Sequence, residues 1–313
     1  MTYVLFFIGF FLLIKGADYL VDGASSLAKK LKMSDLMIGL TIVAFGTSAP
    51  ELVVNVMAAI RHNNDIVIGN IVGSNIANIL LILGVSAIIY PLTIKRNTAL
   101  KEIPFAMLAV VALWMLLMDN YFDKNNINML SRLDGCILIL FFIIFIYYTL
   151  GLKAETNEKF KKQKVSKSLL LICVGLILLV VGGNWIVEGA VKIATALGIS
   201  QALIGLTVVA IGTSLPELAT SAVAAWKHKP DIAIGNVIGS NIFNILWVLG
   251  LSTIINPIKF NSALNFDIYF MAIVTFVLFI FAFLGKKYVL QKWQGVTMLI
   301  FYILYITYLV IRG

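Results

Sequence analysis

Ile42-Val-Ala-Phe-Gly-Thr-Ser-Ala-Pro-Glu-Leu52 returns 166 residues later as Val208-Val-Ala-Ile-Gly-Thr-Ser-Leu-Pro-Glu-Leu218. Each copy lies inside a long apolar run and carries one glutamate directly after a proline. Proline has no amide hydrogen and crowds the carbonyl four residues back. Pro50 therefore loosens a helix at Gly46, and Pro216 does so at Gly212. Glycine lowers helix propensity further. Polar backbone left open in an apolar run needs another helix, water or an ion as partner. Thr47 and Ser48 add hydroxyl oxygens, and Glu51 lies one turn after Thr47 on the same helical face. Gly212, Thr213, Ser214 and Glu217 repeat the set.

The same offset maps Gly69-Asn-Ile-Val-Gly-Ser-Asn-Ile-Ala-Asn78 onto Gly235-Asn-Val-Ile-Gly-Ser-Asn-Ile-Phe-Asn244. It also maps Asp22 onto Glu188 and Pro91 onto Pro257. Towards the ends the offset becomes 160, with Gly135 matching Gly295. The repeat thus covers nearly the whole chain. It divides the chain into a first unit at 1–151, a linker at 152–167 and a second unit at 168–313. Asn70, Ser74 and Asn78 are spaced by four and share a stripe, as do Asn236, Ser240 and Asn244. Gly69 with Gly73, and Gly235 with Gly239, are small-residue pairs of the kind that lets membrane helices approach closely.

The surrounding chain is apolar throughout. Of 313 residues 61% are hydrophobic and 12% charged, and mean hydropathy is +0.99. A soluble domain carries about 25% charged residues. A bilayer-spanning helix needs about 20 apolar residues, and ten such runs are predicted. They lie near 3–27, 35–60, 65–89, 102–119, 133–151, 168–189, 201–226, 231–255, 264–284 and 293–311. Met1-Thr2 places no basic residue ahead of the first run, so Tyr3 onward reads as a span and not as a signal peptide. The net charge of +9 would suggest nucleic acid in a soluble protein. Here the basic residues sit between spans and report topology instead. With the lysine-rich linker cytoplasmic, 17 Lys and Arg fall inside and 6 outside, so both termini face outward. Five spans per unit is an odd number, so the second unit enters from the opposite side. The expected fold is all-α, with ten transmembrane helices in two inverted five-helix repeats and discontinuous helices 2 and 7. Inverted repeats of this kind place ion sites near the midplane, where the broken helices meet.

The chemistry of the motifs is that of hard oxygens: carboxylate, hydroxyl, amide and main-chain carbonyl. It suits alkali and alkaline-earth cations and disfavours zinc or copper. An ionised glutamate near the midplane is costly without a partner, and here one occurs twice at matched positions. Two carboxylates balance one Ca2+, two Na+ or two protons. Any single Ser, Thr or Asn in such a helix is as readily interhelical glue. His62 and His228 match across the repeat but read as ordinary loop residues. Cys136 and Cys173 read as packing residues. Lys15, within the first span, has Asp18 as a partner three residues on. A passive cation channel is the alternative from another class. An intramembrane hydrolase using Ser48 or Ser214 lacks a neighbouring histidine in sequence to act as base, and no enzymatic role is expected.

These residues resemble the calcium/cation antiporter superfamily, in particular the prokaryotic sodium/calcium exchangers, whose paired repeats carry G-T-S-x-P-E followed by G-N-x-x-G-S. The resemblance implies a secondary active antiporter that exchanges Na+ for Ca2+ by alternating access, with H+/Ca2+ exchange as the alternative. It implies four core helices around the ions, with the first and sixth spans sliding across them. Glu51 and Glu217 would share calcium, and Thr47 and Thr213 would lend it carbonyls. Ala44, Ser48, Ser74, Ala210, Ser214 and Ser240 would hold sodium, with Asn78 as a central polar neighbour. Some relatives place an aspartate where this chain has Asn244, which leaves the two glutamates as its clear site carboxylates. No prosthetic group and no protein partner are implied beyond Ca2+, Na+ and the lipid bilayer of a prokaryotic cell membrane.

Overall fold

A computed structural model describes residues 2–118, 128–151, 165–196 and 210–312. Among the described residues, eight helices are long and apolar enough to cross a membrane. A ninth crossing comes from two helices that meet at a bend. In chain order the helices are α1 (Thr2–Lys30), α2 (Asp35–Thr47), α3 (Ala49–Ile60), α4 (Asn64–Ile89), α5 (Thr98–Leu117) and α6 (Arg132–Leu150). They continue as α7 (Val165–Ala196), α8 (Ala210–Thr213), α9 (Leu215–Trp226), α10 (Pro230–Ile255), α11 (Ser262–Phe281) and α12 (Lys292–Arg312). The span expected at 201–226 is described from Ala210 onward. Residues 201–209 lie outside the described residues, as do 119–127 and the linker through residue 164. The sixth span begins at Val165, so the last three residues expected in the linker are helical.

Local chemistry sets the helix ends. Ser131 opens α6 with a capping box: its Oγ accepts the Asp134 amide at 3.3 Å, and the Asp134 carboxylate accepts the Ser131 amide at 2.7 Å. The two histidines are not ordinary loop residues. His62 ends α3 at φ 56° and His228 ends α9 at φ 55°. The next amides, of Asn63 and Lys229, reach back to Ala58 O and Ala224 O at 2.9 and 2.8 Å, the six-to-one bond of a Schellman cap. Each histidine also touches the other half of the molecule. His62 Nδ1 is 3.0 Å from Asn256 Oδ1, and the His228 ring meets Tyr90 edge to face.

Helices α4 and α10 form the centre. Their apolar stretches are 72% and 94% buried, against 22–39% for the other long helices. The outer surface carries Leu133, Tyr147 and Ile311 nearly bare, as a lipid-facing surface must. Cys136 and Cys173, expected to pack inside, lie on this exposed surface. Their apolar neighbours in sequence face lipid, so an apolar run did not imply a buried thiol.

The contacts between the two halves come in exchanged pairs. Strand β1 (Leu92–Thr93) pairs with β4 (Val289–Leu290), and β2 (Met129–Leu130) pairs with β3 (Ile258–Lys259), both antiparallel. Leu92 faces Leu290, and Leu130 faces Ile258. Leu92 and Ile258 are repeat mates, and so are Leu130 and Leu290, so one ladder is the other with its partners exchanged. The glycines behave the same way. A Cβ on Gly295 would lie 2.6 Å from Gly84 O, and one on Gly135 would lie 2.7 Å from Gly250 O. Between α1 and α7, Gly9 meets Gly182 and Gly16 meets Gly175, each with 2.8 Å from a would-be Cβ to the opposite carbonyl. The spacing of seven keeps these glycines on one seam of two antiparallel helices. Gly235 and Gly239 similarly admit α2, against Leu36 O and Leu40 O at 2.8 Å. The repeat mates of Leu36 and Leu40, Ala202 and Leu206, lie outside the described residues.

Gly175→Val would drive its side chain into the α1 backbone, at Leu20 N and Gly16 O. Overpacking of this kind costs about 1–3 kcal/mol. A lowered melting midpoint in detergent, read by size-exclusion fluorescence, is the expected outcome; an unchanged midpoint would refute the close seam.

Candidate ion-binding site

The site begins at two helix breaks. Helices α2 and α3 meet at 47° around Ser48, at φ −80° and ψ 7°. Ser214, between α8 and α9, has φ −87° and ψ 4°. Pro50 and Pro216 fall in the first turn of the following helix. A missing amide hydrogen costs nothing there, so each proline marks a fresh helix start. Glu51 and Glu217 then lie in the first turns of α3 and α9, where the positive end of the helix dipole favours a carboxylate. The breaks differ in one detail: the Ser48 amide bonds Ala44 O at 2.9 Å, while the Ser214 amide bonds Ile211 O at 3.1 Å.

The two breaks converge, and their polar groups cross over. Ser48 Oγ donates to Glu217 Oε1 at 3.1 Å, and Ser214 Oγ donates to Glu51 Oε1 at 3.3 Å. Each glutamate also accepts from the serine of its own half, Ser74 to Glu51 at 3.5 Å and Ser240 to Glu217 at 3.4 Å. Ser214 also reaches Ser74 Oγ at 3.3 Å. Both glutamates are 1% exposed. No ion pair joins either to a basic side chain among the described residues. The second oxygens, Glu51 Oε2 and Glu217 Oε2, are buried without a hydrogen-bond partner. So are Asn78 Oδ1 and Asn244 Oδ1. A buried polar group left unpaired costs about 1–3 kcal/mol, and more when charged. Four orphaned atoms of one kind, all acceptors, in two repeat-related pairs, have the chemistry that hard cations take as ligands.

The remaining predicted residues sort into lining and bracing. Thr47 is buried, and its hydroxyl donates to Asn236 Oδ1 at 3.0 Å and reaches Ala44 O at 3.4 Å. Ala44 is buried, and its carbonyl accepts from both Ser48 and Thr47. Thr213 ends α8 and lines a cavity against α7; Ala210 starts the same short helix. Asn70 and Asn236 share the serine stripe but turn to bracing: Asn70 donates to Asn55 Oδ1 at 2.6 Å, and Asn236 to Ser221 Oγ at 2.9 Å and Glu217 O at 3.3 Å. Sequence reasoning missed Asn75 and Asn241, which link Asn78 and Asn244 across the two halves. The repeated Gly-Ser-Asn was the available signal, but one residue on from serine lies about 100° off its stripe. Short π-helical stretches at Asn78–Leu83 and Phe243–Val248 follow these asparagines, a backbone feature frequent at functional sites.

This sorting separates two variants of similar size. Asn70→Ala should lower the melting midpoint and leave cation affinity near wild type; Asn78→Ala should weaken cation binding. Calorimetric titration of the purified chain with divalent cation, beside thermal melts, checks both; the reverse pattern would refute the division.

The sequence model of the family described as "Sodium/calcium exchanger protein" matches residues 1–151 and 167–311. The sodium/calcium exchanger MaX1 of Methanosarcina acetivorans is 34% identical over 98% of each chain. The inner membrane protein YrbG of Escherichia coli is 35% identical over 81% of this chain and 79% of its own. Among solved structures, the sodium-calcium exchanger NCX_Mj, soaked with Na+ and Ca2+, superposes with a TM-score of 0.84 at 36% identity, covering 98% of this chain and 97% of that one.

Proposed function

This chain belongs to the sodium/calcium exchanger family and exchanges Na+ for Ca2+ across a membrane; from that premise we propose that both ions compete for the oxygens around Glu51 and Glu217. The observation that carries the proposal is the set of four unpartnered acceptors, on the two glutamates of the crossed serine pairs and on Asn78 and Asn244. Two carboxylates balance one Ca2+ or two Na+, so either load neutralises the centre. Calcium takes Glu51 and Glu217 with the carbonyls of Thr47 and Thr213. Sodium takes Ser48, Ser74, Ser214 and Ser240 with the carbonyls of Ala44 and Ala210. Asn78 and Asn244 complete the centre. The serine hydroxyls favour sodium over a proton as the coupling ion, since a proton needs only the carboxylates.

Coupling requires that an empty, charged site not cross the membrane. Alternating access meets that requirement in a fold of ten helices, with units 1–151 and 168–313 inverted about an axis in the membrane plane. The exchanged strand and glycine contacts support it. Both termini face outward and the linker faces the cytoplasm of a prokaryotic cell.

An asymmetry between the halves supports the motion. Lys227, just past α9, donates to Asp18 at 2.5 Å and Asp22 at 2.7 Å on α1. Asp18 therefore pairs with the other half, and not with Lys15. Burial works against the charge of Lys227, but hydrogen bonds to Asp18 and Asp22 outweigh it and hold its pKa above the usual lysine value. The repeat mates of these residues are Arg61, Asn184 and Glu188. No ion pair joins Arg61 to Glu188, and a cavity of about 330 Å³ opens beside Asn184, reaching Pro50, Thr213 and Pro216. The cytoplasmic end of α1 is latched to the core by ion pairs, while the repeat-related part of α7 meets it through Val187 against Gly212 beside this cavity; that asymmetry is the one an outward-open state would have.

Two outcomes follow. An imposed Na+ gradient should drive 45Ca2+ into proteoliposomes, and Glu51→Gln or Glu217→Gln should abolish the flux; uptake that persists without a counter-ion would indicate a passive pore. Lys227→Gln should favour the inward-open state. In a Cys136→Ser, Cys173→Ser background, a cysteine at Val54 should then react more slowly with a membrane-impermeant maleimide added outside. Unchanged or faster labelling would exclude the latch.

A further inference from the structure

Four asparagines occupy the crossing of α4 and α10, all at most 5% exposed. Asn75 Nδ2 donates to the main-chain carbonyl of Asn241 at 3.3 Å, and Asn241 Nδ2 donates to that of Asn75 at 3.4 Å. These two bonds leave the side-chain oxygens of Asn75 and Asn241 turned to the remaining pair. Asn78 Nδ2 donates to Asn241 Oδ1 at 2.9 Å, and Asn244 Nδ2 donates to Asn75 Oδ1 at 3.1 Å. What remains without a partner is Asn78 Oδ1 and Asn244 Oδ1.

An asparagine amide has two ends of nearly equal size and opposite polarity. A free amide beside a cation site can present either end, and the NH2 end repels the ion. We infer that Asn75 and Asn241 are positioning residues that hold the NH2 groups of Asn78 and Asn244 away from the ions and so present their oxygens to them. Each is supplied by the opposite half, so the ligand orientation of one repeat depends on the other. The inference rests on the ion centre proposed above.

The discriminating experiment exploits a side chain with no wrong end. Asn75→Ala removes the acceptor that holds Asn244. Its KM for Ca2+ in Na+-driven uptake should rise about tenfold, the scale of one hydrogen bond to a charged group, with kcat close to wild type. Adding Asn244→Asp should bring KM back towards wild type, since a carboxylate offers oxygen whichever way it turns. The mirror pair, Asn241→Ala with Asn78→Asp, repeats the test from the other half. A merely structural role predicts no rescue. Double variants that stay at the KM of the singles, a wild-type KM in both singles, or failure of both singles to fold would each overturn the inference. Absence of Na+-driven uptake by the unmodified chain would instead remove the ion centre itself.

Discussion

Two carboxylates stand at the centre of this molecule with no basic side chain paired to them among the described residues. Burying a charge in a low-dielectric interior costs several kcal/mol after relaxation. The fold offsets part of that with helix N-termini and crossed serine hydroxyls, and the ion proposed to bind there would offset the rest. Much else follows from that choice. The helices must break at Ser48 and Ser214 so that their N-termini point at the centre. The two halves must meet there, since each glutamate takes a hydroxyl from the other half.

Bringing two breaks together constrains the packing around them. Helices α4 and α10 carry the second serine and the asparagines, so they must pass close to the breaks and to each other. Glycines make that approach possible where α10 meets α2, and again at the Gly84–Gly295 and Gly135–Gly250 contacts. The same device joins α1 to α7 along a seam of glycines seven residues apart. A seam of close backbone contacts, flanked by side chains such as Ile172 and Ile186 seated on the opposite glycines, holds these two helices together as a pair. Their hold on the core includes ion pairs at one end, through Lys227, and among the described residues none at the repeat-related position, where Val187 packs against Gly212. A pair held firmly to itself and unequally to the core is suited to moving as one body.

Much of this was legible in the sequence because it is periodic. A repeat at a fixed offset, apolar runs of membrane length and the spacing of Asn70, Ser74 and Asn78 are one-dimensional facts with direct physical meaning. They place Glu51 and Glu217 in matched broken helices, and they place serines on the faces that turn to them. They also determine hard-oxygen chemistry, since no histidine or cysteine lies in either motif.

Tertiary structure decided what depends on which neighbour arrives. Ser48 belongs by sequence to Glu51, yet it donates to Glu217, because folding brings the opposite break closer. Asn70 and Asn78 are equivalent along their stripe, but only Asn78 keeps an unpartnered side-chain oxygen; Asn70 meets Asn55. Asp18 has Lys15 beside it in the chain and takes Lys227, which only folding delivers. Cys136 and Cys173 sit in apolar runs and still lie outside, because in a membrane an apolar face can turn to lipid as readily as to protein. Asn75 and Asn241 lie off every stripe the spacing marks. Their position at the crossing exists only once both halves are assembled, since each one's partners come from the other half of the chain.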